Sequence, residues 1–220
     1  MTKFRDPIDD PRTPVAGLQL ADIVDLRAYE RLRDDYRRRI IDHKRRRRVA
    51  LGPIITLVFE SFDTVRFQVH EMARAERIAT DQGIEEELDA YNRLLPVHGE
   101  LSATLFIELT TEDELRHWLP RLVGIERSVG FEVGRPGERR FVAGLPEATH
   151  AEALTRDTVT AAVHYLRFPF DREERRAFAA GRAALVSGHP EYEARTDLAP
   201  EAQAELLAEL EGRAEPLPFG

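Results

Sequence analysis

The run from Ile54 to Pro96 leaves this chain little choice of architecture. Ile54-Ile55-Thr56-Leu57-Val58-Phe59-Glu60 is β-branched and aromatic, with Gly52-Pro53 before it and Ser61-Phe62-Asp63 after it, which is the pattern of a buried strand. Asp63 is placed to cap a helix running from Thr64 to about Thr80. At about 100° per residue, Val65, Val69, Met72, Ala75 and Ala79 share one face, and Glu76 falls near the middle of that apolar stripe. A carboxylate in that position calls for a partner. Asp81-Gln82-Gly83 reads as a turn. The next helix opens on Glu85-Glu86-Glu87, where the helix dipole favours acids, keeps Ile84, Leu88, Tyr91 and Leu95 at helical spacing, and ends at Pro96.

Upstream, Pro7, Pro11, Pro14 and Gly17 are spaced too closely for regular structure, so residues 1–20 read as an extended arm. Leu26, Tyr29, Leu32, Arg33, Tyr36, Ile40 and Ile41 predict a long helix from Asp25 or Leu26 to Arg47, stopped by Gly52-Pro53. Downstream, Leu101, Ala103, Leu105, Ile107 and Leu109 alternate with less apolar neighbours as in a strand. Thr111 opens a short helix through Trp118. Residues Ile125–Val133 and Arg139–Ala143 flank a turn-rich linker as in a hairpin, and a polar loop spans Gly144 to Arg156. Val159 to Phe168 reads as a long central strand, Asp171 caps a helix to about Leu185, Gly188-His189-Pro190 makes a turn, and Glu201–Glu211 is helical ahead of a frayed tail around Pro216 and Pro218. The order predicts an α+β fold: a single domain with a mostly antiparallel sheet of about five strands, helices packed against it and a long basic helix near its start. The main domain would span 21–195, with the arm before it and a helix and tail over 196–220.

With no cysteine among 220 residues, thiolate nucleophiles, disulfides and iron–sulfur ligation are excluded, and a metal site would need carboxylate and histidine. No apolar run approaches the length of a membrane span. The opening MTKFRDPIDDPRTP lacks a secretory pattern, so a cytoplasmic location is expected. The net charge of −8 conceals a segregation: Arg27 to Ala50 holds eleven Lys or Arg against four acids.

Two groups of residues could carry chemistry. Glu60, Gln68, Glu71, Glu76, Glu87 and His164 include a carboxylate and imidazole set, of which Glu60, Glu71, Glu76 and His164 could hold iron, manganese or zinc. No HExxH frame supports this. The bland reading pairs Glu76 with Arg167 and leaves His164 as a hydrogen-bonded core residue. The second group is Arg45, Arg46, Arg47 and Arg48, an anion site for a phosphorylated ligand, nucleic acid or acidic partner. No aromatic residue is interleaved with it, so nucleic acid is not expected and an internally paired face is the plainer account. Ser187 has no nucleophile frame. His43, His98, His117 and His150 read as exposed.

The run RRRRVALGPIITLVFESFDTVRFQVHEMARAERI, continued by EELDAYNRLLP and later AVHYLRF, resembles the bacterial family known as domain of unknown function 3501, over about residues 22–192. The resemblance transfers no catalytic residue. It implies similarity among members at Arg47, Gly52, Glu60, Thr64, Arg66, Gln68, Glu71, Met72, Arg74, Glu76, Tyr91, Asn92, His164 and Arg167, adding Arg66, Gln68, Arg74, Tyr91, Asn92 and Arg167 as a polar pocket around the carboxylates. His70, where members more often carry an amide, stays outside it. The family's setting near rubrerythrin-like and iron–sulfur oxidoreductase-like proteins implies an accessory or binding protein in a redox or metal-homeostasis pathway. A metal-dependent enzyme and an anion or nucleic-acid binder are the alternatives.

Overall fold

The computed structural model describes residues 17–147 and 158–219. The fold is α+β, with two antiparallel sheets. Helix α1 (Leu26–Arg47) is capped by Asp25, whose side chain accepts from the amides of Arg27 and Ala28. It passes directly into β1 (Arg48–Leu51), so the helix stops before the Gly52-Pro53 turn, not at it. Strands β2 (Ile55–Phe59), β3 (Glu100–Ile107), β7 (Val163–Pro169) and β6 (Leu145–Pro146) complete the first sheet in the order β1-β2-β3-β7-β6. The sequence predicts one mostly antiparallel sheet of about five strands; of those strands only β2, β3 and β7 lie in this sheet, and the one expected as central over 159–168 begins at Val163 and lies next to the edge.

A second sheet, β5-β4-β8-β9, adds β4 (Val129–Gly134), β5 (Arg140–Ala143), β8 (Arg182–His189) and β9 (Tyr192–Asp197). The expected β4–β5 hairpin is present. The helix expected to run to Leu185 instead ends at Ala180, as α5 (Arg172–Ala180) after α4 (Glu112–Trp118). A Cβ at Gly181 would stand 2.4 Å from the Gly134 carbonyl carbon, so the chain turns there under β4 and pairs as β8. The Gly188-His189-Pro190 turn is then the hairpin leading into β9, a strand without a clear apolar alternation of its own.

The inner faces of both sheets share one core that includes Phe59, Phe131, Phe168 and Phe178, and helix α6 (Pro200–Leu210) contributes Leu206 and Leu210 to it. Tyr192 joins the sheets at the β1–β2 turn: its hydroxyl donates to Leu51 O (2.7 Å) and accepts from Ile54 N (3.2 Å). Gly52 sits there with φ +68°, and a Cβ would lie 2.5 Å from the Tyr192 oxygen, so the position requires glycine twice over.

The other face of the first sheet meets α2 (Phe62–Glu76) and α3 (Asp81–Tyr91). Ser61, not Asp63, caps α2 by accepting from Thr64 N, because the Asp63 carboxylate turns inward to Arg66. Thr80 caps α3, so Asp81-Gln82-Gly83 is already helical. Of the extended arm expected for residues 1–20, all but 17–20 lies outside the described residues, as do most of the polar loop and His150.

Candidate functional site

Helix α2 is buried on several sides, and its polar residues are drawn into three separate networks. Toward the sheet, Glu60 lies 4% exposed and accepts from Thr64 Oγ1 at 2.5 Å and Thr104 Oγ1 at 2.6 Å. Toward α3, Gln68 hydrogen-bonds the Tyr91 hydroxyl, while Asn92 clamps the backbone of Leu18 at both its N–H and its carbonyl. Toward α1, Arg33 grips Glu71 with two hydrogen bonds of 2.7 and 2.8 Å, and Tyr29 donates to the same carboxylate at 2.7 Å. Those donors, Arg33 foremost, hold the Glu71 carboxyl down at about 2. Arg74 stands 3.5 Å from Glu71 and 3.8 Å from Glu30.

The expected carboxylate–histidine set is therefore dispersed. Glu76 is exposed near the end of α2, because the buried stripe runs through Val65, Val69 and Ala73 and leaves Ala75 and Ala79 outside. Arg167 pairs with Glu100, not with Glu76, and donates to the carbonyl of Arg93. His164 is a core residue whose Nε2 lies 2.9 Å from Thr160 Oγ1 and 2.9 Å from Ala161 O, and burial lowers its pKa. Among the described residues no three His, Asp or Glu side chains are grouped to hold a metal ion.

The basic end of α1 is internally paired. Arg45 meets Asp42, Arg46 meets Glu205, Arg48 meets Glu108, and the fully buried Arg47 reaches Glu205, Glu209 and the Glu60 carbonyl. His43, expected at the surface, is 6% exposed, with Nε2 3.0 Å from Ser61 Oγ and Nδ1 3.6 Å from Glu205. The order Ser61–His43–Glu205 has the outline of a nucleophile, base and acid. However, Ser61 is spent on capping α2, Glu205 is held by two arginines, and burial with Arg47 alongside pushes the imidazole down to about 4, too weak a base for that role at neutral pH.

What the α1–α2 seam does build is a cavity. About 510 Å³ opens between the start of α1, the later half of α2 and the start of α3. Leu20, Ile23, Val24, Ala73, Ile78 and Ile84 make its aliphatic wall, Asp25, Thr80 and Asp81 stand at its mouth, and the buried Tyr29 and His70 form its floor. The two rings stack with centroids 4.6 Å apart. His70 Nδ1–H donates to Arg66 O at 2.9 Å and Nε2 accepts from Val24 N at 3.3 Å, a pattern that only one neutral tautomer satisfies. Burial depresses its pKa to about 4, so the floor carries no charge at neutral pH. The Tyr29 hydroxyl, turned away to Glu71, is raised by burial and by that carboxylate.

The family model described as "Protein of unknown function (DUF3501)" matches residues 17–210, most of the chain. The chain belongs to the DUF3501 family. A solved structure described as a novel protein of unknown function from Burkholderia pseudomallei K96243 is 36% identical to this DUF3501 protein, with a TM-score of 0.79, covering 88% of this chain and 98% of that one. No curated protein matches it. Among the described residues no helix is long and apolar enough to cross a membrane.

His70 is the site residue that the sequence reading set aside. At i+4 from Arg66 it lies on the face of α2 that α1 covers, and that cover, not a local motif, is what buries it.

Proposed function

We propose that this DUF3501 protein is a binding protein whose α1–α2–α3 cavity takes a small, largely apolar ligand. The observation that carries this reading is the cavity's chemistry. Its aliphatic wall and uncharged, stacked Tyr29–His70 floor line about 510 Å³ that opens to solvent past Asp25, Arg27 and Asp81, within the roughly 300–1,000 Å³ of ligand pockets. The redox or metal-homeostasis setting implied by the family resemblance supplies the context, with a rubrerythrin-like or iron–sulfur oxidoreductase-like protein as the partner served. Fluorescence titration with 1-aminoanthracene tests the reading. The full chain is expected to bind one equivalent saturably, and Ala79→Trp, which puts a large ring at the exposed rim of the cavity, is expected to abolish binding while leaving the fold intact. Absence of saturable binding, or binding unaffected by Ala79→Trp, overturns it.

A further inference from the structure

The segment after α6, which the sequence presents as a frayed tail, is seated in a groove between α1 and α2. Its contacts fall into two kinds. The first are made to the backbone of Leu217: its N–H donates to Asp63 Oδ2 at 2.8 Å, and its carbonyl accepts from Arg66 Nη2 at 3.1 Å. Reading one residue's backbone at both its N–H and its carbonyl is how grooves hold extended chains without regard to side chain. The second kind is specific. The ring of Phe219 lies 4.5 Å from Tyr36, 4.9 Å from His70 in a stacked arrangement, and 4.8 Å from the Arg66 guanidinium carbon. Pro216 and Pro218, flanking Leu217, restrict the segment to extended conformations and reduce the entropy lost on docking.

The segment completes the polar lining of the groove. With the segment seated, Asp63 is 2% and Arg66 8% exposed, and Asp63 Oδ2 and one bond of Arg66 Nη2 are satisfied by the Leu217 backbone. Withdrawing the segment takes those partners away and opens both groups to water, and any extended chain presenting an N–H and a carbonyl there restores them. The aromatic socket above selects among such chains. These are the properties of a recognition site, met here in cis by the chain's own residues.

We propose that the α1–α2 groove is a peptide-docking site, that residues 213–219 are its resident occupant, and that an extended apolar–proline–aromatic segment of a partner protein enters by displacing them. The proposal does not rest on ligand binding in the cavity behind His70. A segment covalently tethered beside its site competes at high effective concentration, so displacement sets the affinity for a partner.

The test uses a fluorescein-labelled peptide with the sequence of residues 213–220, followed by anisotropy. Protein ended after Gly212 is expected to bind it saturably. The full chain is expected to bind at least about tenfold more weakly, and full-length Phe219→Ala is expected to recover most of that loss. The Phe219→Ala comparison stands even if the shortened chain fails to fold. A folded shortened chain that does not bind, equal affinity in the shortened and full chains, or a Phe219→Ala variant no better than the parent each overturns the proposal.

Discussion

Arg47 Nη2 donates to Glu209 Oε2 across 2.6 Å at a place where none of the arginine side chain meets solvent. The same guanidinium reaches Glu205 and the Glu60 carbonyl, so one residue at the end of α1 ties α6 to the strand that feeds α2. Arg47→Met is expected to destabilise the protein by about 3–5 kcal/mol, because it leaves a buried carboxylate unpaired. Adding Glu209→Met should restore part of that loss. Urea midpoints with unchanged slopes measure both, and a single Arg47→Met variant as stable as the parent contradicts the buried pairing.

Acid should weaken the fold in two successive windows. His43 and His70 are held down at about 4 in the folded chain by burial, while the unfolded chain takes up protons near the ordinary value of about 6.5. The unfolded state therefore binds more protons between those values, and stability falls as pH drops from about 6.5 to 4, by up to about 3 kcal/mol per histidine. Glu71 is held at about 2 against an ordinary value of about 4.3; its contribution is complete above the latter and is lost as pH falls toward 2. NMR titration of the histidine ring protons checks the first window: both rings should remain neutral at pH 5.5. A His70→Asn variant should flatten the decline between pH 6.5 and 4.

Two glutamates five residues apart on α2 should behave differently. Glu71→Gln breaks the paired contact to Arg33 and removes the charge that Tyr29 donates to, at a cost of about 1–3 kcal/mol. Glu76→Gln, at an exposed position, should stay within about 0.5 kcal/mol of the parent. Thermal melts of the two variants side by side decide this, and a large effect at Glu76 would restore it as a functional carboxylate.

That contrast marks what could be seen in the residues alone. The strand over Ile55–Phe59, the long helix ending at Arg47 and the alternation through Leu101–Ile107 were legible because each carries its own period. Strand β8 was not, since Arg182-Ala183-Ala184-Leu185 has helical composition and becomes a strand only because Gly181 must pass under Gly134. Glu76 was misplaced for a similar reason: the angular stripe is correct, but which edge of it is buried depends on α1, which covers Arg66 and His70 and leaves Ala75 and Glu76 outside. The cavity could not be read at all, because it forms only where Leu20 and the start of α1 fold back over Ala73 and Ile84 on the consecutive helices α2 and α3.

The account turns on that cavity, and amide chemical-shift mapping on ¹⁵N-labelled protein tests it most directly. Titration with 1-aminoanthracene should saturate and move the amides of Val24, Ala73, Ala79 and Ile84 together with the ring protons of His70. Shifts that never saturate, or that cluster elsewhere, such as around Gly134 and Arg176, would contradict it.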